Sequence, residues 1–186
     1  NVWRNEKPDT GKSRYREFSQ ADCDIIGNVN SSQADAEICN IIADTLTKCG
    51  LGDKQFKVSI SNRKIVQGLI NQLKIFDKYQ ELKVIRAIDK LDRIGIKGVE
   101  DLLKKERIDA SGAVTKGANL SDAQASEILN FLKIKNIKDL KSTLKNPLSV
   151  EGIKETESLL EIISYGKYSK LIQTNFTIVR GLAYYD

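Results

Sequence analysis

The chain of 186 residues is 40% apolar and 30% charged, carries a net charge of +5 and contains no histidine. Its length suits one domain or two small ones with a true core, and its composition is that of a folded chain rather than a disordered one. Serine–histidine and cysteine–histidine catalysis and histidine-ligated metals are excluded for this chain, and no apolar run approaches the roughly 20 residues that cross a bilayer. The basic balance permits nucleic-acid binding without establishing it. Cys23, Cys39 and Cys49 are unclustered and odd in number. That pattern points to a reducing compartment and away from both a disulfide framework and a zinc site, and no bound metal is expected on this chain. The chain begins at Asn1, without methionine, inside what reads as a strand, so its natural start is expected upstream.

Residues 1–27 read as two antiparallel strands joined by a loop: NVWRNE leads in, KPDTGKS turns and RYREFSQADCDIIG returns. Pro8, with its fixed φ, and Gly11, which tolerates a positive φ, are turn residues. Along the returning strand a period of two puts Tyr15, Ala21, Cys23 and Ile25 on one face. Arg14, Arg16, Phe18, Gln20, Asp22 and Asp24 share the other. That polar face is either solvated or the floor of a site. At about 3.3 Å per residue, Gln20 and Asp24 stand about 13 Å apart, out of mutual reach but both within reach of a small molecule lying along the sheet. Arg4 and Arg14 flank the turn and can grip an anionic group through their fork-shaped donors.

Ser31 or Ser32 is a candidate cap for a helix over residues 33–49, with a stripe of Ile38, Ile41, Ile42, Thr45 and Leu46, ended by Gly50. Alternation of Phe56, Val58 and Ile60 predicts a strand with one buried face. A helix carrying Ile65, Val66, Leu69, Ile70 and Leu73 follows. The order over residues 1–75 is thus β-β-α-β-α. Residues 76–172 read as helix after helix, with no convincing strand. YQELKVIRAIDKLDRIG buries Val84, Ile85, Ile88 and Leu91 and stops at Gly95. DASGAVTKGAN reads as a loop, and Ser121–Gln124 carries a capping pattern at the head of the next helix. SVEGIKETESLLEIISYG closes the series. The many lysines here form either a solvated face or a nucleic-acid surface. Residues 173–186, QTNFTIVRGLAYYD, turn β-like again, and the paired tyrosines of VRGLAYYD are either core aromatics of a strand or part of a site. An α+β domain interrupted by a helical insert is the predicted organisation: residues 1–75, then 76–172, then a return over 173–186.

Two stretches gain force in combination. RNEKPDTGKSRYREFSQADCDIIG resembles the second signature motif of class II aminoacyl-tRNA synthetases, in the form used by histidyl-tRNA synthetases, and VRGLAYYD is similar to the histidine-specific motif of the same enzymes. They stand in the right order, separated by a helical insert of suitable size. The resemblance is residue-level over these stretches and architectural elsewhere. It implies part of a class II antiparallel catalytic sheet with flanking helices, plus an all-helical insertion domain. It implies activation of histidine by ATP, with Mg2+ as counterion, to histidyl-adenylate, and transfer to tRNA(His) by a cytoplasmic enzyme that is a homodimer and has no membrane partner.

Under the same resemblance Arg4 holds the α-phosphate of ATP, Glu6 contacts the adenine side, and Arg14 lies near the phosphates and the acceptor end of tRNA. Gln20 contacts the polar groups of histidine, Asp24 accepts a hydrogen bond from its imidazole, and Tyr184 and Tyr185 line its pocket. Arg180 is the catalytic arginine that, with Arg4, stabilises the α-phosphate under carboxylate attack. The insert contacts tRNA near the acceptor arm. These residue types suit the chemistry: in-line attack at a phosphate asks the protein for positioning and positive charge, and an imidazole N–H asks for an acceptor. Ala183 departs from the pattern, standing where many members have aspartate, so no role is carried onto it. The first and third class motifs and an anticodon-binding domain are not found in the chain, which is therefore expected to be the central piece of a larger enzyme and inactive alone. The alternatives are a non-catalytic paralogue, such as a regulatory histidine-binding subunit, and a helical RNA-binding module.

Overall fold

The computed structural model describes residues 1–5, 8, 11, 14–108, 112 and 114–179. Two units result, residues 1–30 and 31–186.

In the first unit, β1 (Val2–Trp3) pairs antiparallel with β2 (Glu17–Phe18), with Val2 opposite Phe18 and Trp3 opposite Glu17. The hairpin expected from the turn residues is present, but its returning strand is far shorter than the predicted run over residues 14–27. From Ser19 to Ile26 the backbone is irregular. Nor is one of its faces buried: Tyr15, Ala21 and Cys23 are exposed, and only Phe18 and Ile25 are half-buried. The reason is that, among the described residues of this unit, the two paired strands have no further strand or packed layer against which alternation could bury a face.

The second unit begins with α1 (Ser31–Lys48), which already includes both serines proposed as caps. Its buried face is Ala36, Cys39 and Ala43, not the predicted isoleucine stripe; Ile42 is 43% exposed. Small residues at this spacing let α1 approach α7 (Pro147–Ser164) and β3 (Val58–Ile60) closely. The helix closes as expected at Gly50, whose φ is +92°. The Gly50 N–H donates to Thr47 O at 3.0 Å and the Leu51 N–H to Leu46 O at 3.2 Å, the paired closure that a left-handed residue permits.

β3 pairs in parallel with β6 (Ile172–Thr174), Val58 opposite Ile172 and Ile60 opposite Thr174. Everything from residue 61 to residue 171 is the crossover between them, as parallel pairing requires. It contains α2 (Arg63–Gln72), α3 (Lys78–Asp89), α4 (Leu91–Lys104), α5 (Asp122–Phe131), α6 (Ile137–Thr143) and α7. The predicted buried residues of α2 and α3 are indeed buried, except Leu73 and Leu91, which are half-buried. The stop expected at Gly95 is a kink: Gly95 takes φ +67° inside α4. Ser121 and Gln124 form the predicted reciprocal cap of α5, and Gln124 Nε2 also donates to Leu73 O at 2.9 Å. The stretch read as a loop holds half of a hairpin, β4 (Glu106–Ile108) with β5 (Val114–Lys116), so the insert is not wholly helical. Its strands are exposed at nearly every position, which removes the alternation that would have revealed them in the sequence.

A large core joins Leu69, Ile70, Val84, Ile88, Leu103, Ile128, Phe131 and Ile153, and a smaller one joins Ala36, Val58, Ile163, Tyr168 and Ile172. α7 spans both. α2 shares the large core with α3–α7, and Phe176 and Val179, 2% and 6% exposed, anchor the chain beyond β6 in the same core.

Candidate functional site

In the first unit, pairing fixes Arg4 by its backbone: the Arg4 N–H donates to Arg16 O at 2.9 Å. Its guanidinium lies over the Phe18 ring, 5.4 Å from the centroid. A cation over an aromatic face keeps its outward N–H groups free to point at an anion. The strand pair is pinned at its open end, where Asn1 Nδ2 donates to Glu17 Oε1 at 3.1 Å and Ser19 Oγ donates to Asn1 Oδ1 at 3.0 Å. Arg14, Gln20 and Asp24 are all exposed. Gln20 Nε2 donates to Asp22 Oδ1 at 2.5 Å. The sequence reading gave Asp22 no role; here it orients the amide of Gln20. Glu6, Arg180, Tyr184 and Tyr185 lie outside the described residues.

The second unit holds a polar group centred on Asp44. Tyr168, 8% exposed, donates from its hydroxyl to Asp44 Oδ1 at 2.5 Å, and Lys48 Nζ reaches Asp44 Oδ2 at 2.6 Å. Lys167 Nζ donates to the Tyr168 hydroxyl at 3.0 Å. Hydrogen bonds from Lys48 and then Tyr168 hold the Asp44 carboxyl below the usual carboxylate range. The group ties α1 to the turn that launches β6. Nothing in the spacing of Asp44 and Tyr168 along the chain announces their meeting.

A second tie sets the start of α2. Asn62 caps it, its side chain accepting from the Lys64 N–H at 2.9 Å, and Asn62 Nδ2 donates to Glu155 Oε2 at 2.8 Å. Lys64 Nζ contacts Glu151 at 2.6 Å and Glu155 at 2.5 Å. Partial burial pushes the Glu155 carboxyl up, but its hydrogen bonds from Lys64 and Asn62 outweigh that and leave it below the ordinary range. Among the described residues no three aspartate, glutamate or cysteine side chains gather as a metal site. Arg4 and Arg14 are exposed cations. Among the same residues no helix is long and apolar enough to cross a membrane.

The comparisons with known proteins agree with the motifs. The family model for histidyl-tRNA synthetase matches residues 1–186. The histidine–tRNA ligase of Pelagibacter ubique (strain HTCC1062) is 68% identical over 187 residues, covering all of this chain and 40% of that protein. The histidine–tRNA ligase of Ruegeria pomeroyi is 40% identical over 193 residues, covering 99% of this chain and 38% of that protein. The crystal structure of histidyl-tRNA synthetase from Nostoc sp. PCC 7120 superposes with a TM-score of 0.65 at 25% identity, over 84% of this chain and 35% of that one. The chain thus spans about 40% of the length of the curated relatives it matches. With its paired motifs, its α+β architecture and a family match along its whole length, the chain belongs to the histidyl-tRNA synthetase family.

Proposed function

We propose that the protein to which this chain belongs activates histidine with ATP and Mg2+ to histidyl-adenylate and transfers it to tRNA(His), as a cytoplasmic homodimer. The observation that carries this reading is the match of the whole chain to the family together with the retained Arg4, Glu6, Gln20, Asp24, Arg180, Tyr184 and Tyr185. Arg4, Glu6 and Arg14 bind ATP, with Mg2+ arriving as its counterion. Gln20, Asp24, Tyr184 and Tyr185 bind histidine, and Arg180 with Arg4 stabilises charge at the α-phosphate. Residues 1–75 and 173–186 belong to the catalytic part and 76–172 to an insert that meets tRNA, with α2 as the helix on which the insert packs. The 186-residue chain by itself is inactive in this reading. Histidine-dependent ATP–pyrophosphate exchange by the full-length protein tests it: exchange is expected, and its absence with intact histidine binding would favour a regulatory paralogue.

Asp24 tests the specificity of the pocket. Asp24→Asn keeps the shape and removes the charge from the acceptor facing imidazole. Loss of a charge-assisted hydrogen bond costs on the order of 1.5–3 kcal/mol, which is roughly 10- to 150-fold in histidine use. The expected result in the exchange assay is a fall in kcat/KM for histidine with the KM for ATP little changed, because Arg4 and Glu6 serve the other end of the site. Asp22→Asn is expected to have a smaller effect, exerted through the orientation of Gln20. An Asp24→Asn enzyme with unaltered histidine kinetics would remove Asp24 from the pocket.

A further inference from the structure

One surface of the insert is not used by the proposed active site. Tyr79, Lys83, Arg86 and Lys90 recur at intervals of four, three and four residues, so they lie on one face of α3 and at its end. This face forms one wall of a cleft of about 400 Å³ whose other wall is Val114, Thr115 and Lys116 of β5. The two walls are held in place. Lys83 Nζ donates to Gly117 O at 2.9 Å and Gln80 Nε2 to Ala118 O at 2.8 Å. The segment after β5 also closes the end of α4, with the Ala118 N–H donating to Leu102 O at 2.8 Å and the Leu120 N–H to Leu103 O at 2.9 Å.

Charge and aromatic exposure are both available there. Lys48, Lys64, Lys104 and Lys141 are committed to carboxylates, whereas Arg86, Lys90 and Lys116 take part in none of those pairs. Tyr79 is 66% exposed, with the Lys83 ammonium 4.6 Å from its ring centroid. The stripe from Tyr79 to Lys90 runs about 16 Å at 1.5 Å per residue. Arg86 on α3, Lys90 at its end and Lys116 on the facing strand put three cations around the cleft, more than one phosphate needs and suited to successive phosphates of a strand, while the exposed Tyr79 ring offers a stacking surface to an unpaired base.

We infer that the cleft between α3 and β5 binds the sugar–phosphate backbone of RNA through Arg86, Lys90 and Lys116, with Tyr79 stacking on a base. Given that the parent protein acts on tRNA, which is the reading above, this assigns where the insert holds it. The test uses the full-length protein and a labelled tRNA(His) transcript, with binding measured by anisotropy between about 50 and 200 mM salt. Each phosphate contact contributes about 0.7–0.9 to the slope of log K against log salt. The triple variant Arg86→Ala/Lys90→Ala/Lys116→Ala is expected to flatten that slope by about 2–3 while leaving histidine-dependent pyrophosphate exchange intact. Tyr79→Ala is expected to weaken binding with the slope unchanged, because stacking releases no counterions. Lys133→Ala/Lys138→Ala/Lys154→Ala removes equal charge from exposed positions elsewhere on the unit. If this control flattens the slope as much, or the cleft triple leaves binding unaltered, the assignment is overturned even though exchange persists. If the unsubstituted protein shows no exchange, it is the proposed function that fails.

Discussion

Replacing Arg180 with alanine in the full-length protein is expected to lower the rate of histidine-dependent pyrophosphate exchange by about 10²–10³-fold, the usual cost of losing one preorganised donor at a developing negative charge. The reason lies in the step itself. As the histidine carboxylate attacks the α-phosphate, charge builds on non-bridging oxygens, and a guanidinium already in place stabilises it without reorganising. The loss should fall mainly on kcat, because the interaction strengthens toward the transition state, whereas histidine and ATP retain their other contacts. Arg180→Lys keeps the charge and loses the fork, so it should recover only part of the rate. The approach to Arg180 is well anchored: β6 pairs with β3, the Asn175 N–H donates to Ile60 O at 2.8 Å, and Phe176 and Val179 are buried just ahead of it. Unchanged exchange kinetics in the alanine variant would exclude the role.

Gly68→Ala is expected to destabilise the second unit by about 2–3 kcal/mol, although alanine is the better helix former by about 1 kcal/mol. Gly68 sits where α2 crosses α7. A β-carbon there would collide with the backbone nitrogen and hydroxyl of Ser149 and approach its Cα to 2.9 Å. Ser149 is fully buried, and its hydroxyl donates to Ile65 O at 3.1 Å, so it has nowhere to move without abandoning a buried hydrogen bond. Gly152, one turn further along α7, is nearly as tight, since its β-carbon would lie 2.8 Å from Lys64 Cβ. For a unit of this size each kcal/mol lowers Tm by roughly 2–4 °C, so a fall of about 4–12 °C in calorimetry is expected. A Gly68→Ala protein as stable as the parent would mean that the crossing is looser than this geometry.

Local chemistry is legible in this chain wherever one element carries its own signal. Asn62, Ser121 and Asn146 cap helices with their own side chains; of these, only the Ser121–Gln124 pair stood out in the sequence by its spacing, and it forms. Gly50 and Gly95 adopt the positive φ expected of punctuation, and α2 buries the face its period of 3.6 predicts. The two motifs that identify the family are equally sequential, because a motif records residue types that must occur at fixed intervals along one stretch of backbone.

Tertiary structure decided the rest, for two physical reasons. Periodicity describes a face but not what lies opposite it. α1 therefore buries Ala36, Cys39 and Ala43, because a close helix partner selects small residues over the larger isoleucines, and the returning strand of the hairpin loses its alternation after Phe18 for want of a layer to pack on. Contacts between residues far apart in sequence leave no local trace at all. The parallel pairing of Val58–Ile60 with Ile172–Thr174, the Asp44–Tyr168 tie and the cleft between α3 and β5 each join segments whose compositions say nothing of one another. Which lysines pair with carboxylates and which line one groove is settled only by folding, because charge in a sequence is a sum and a binding surface is a distribution.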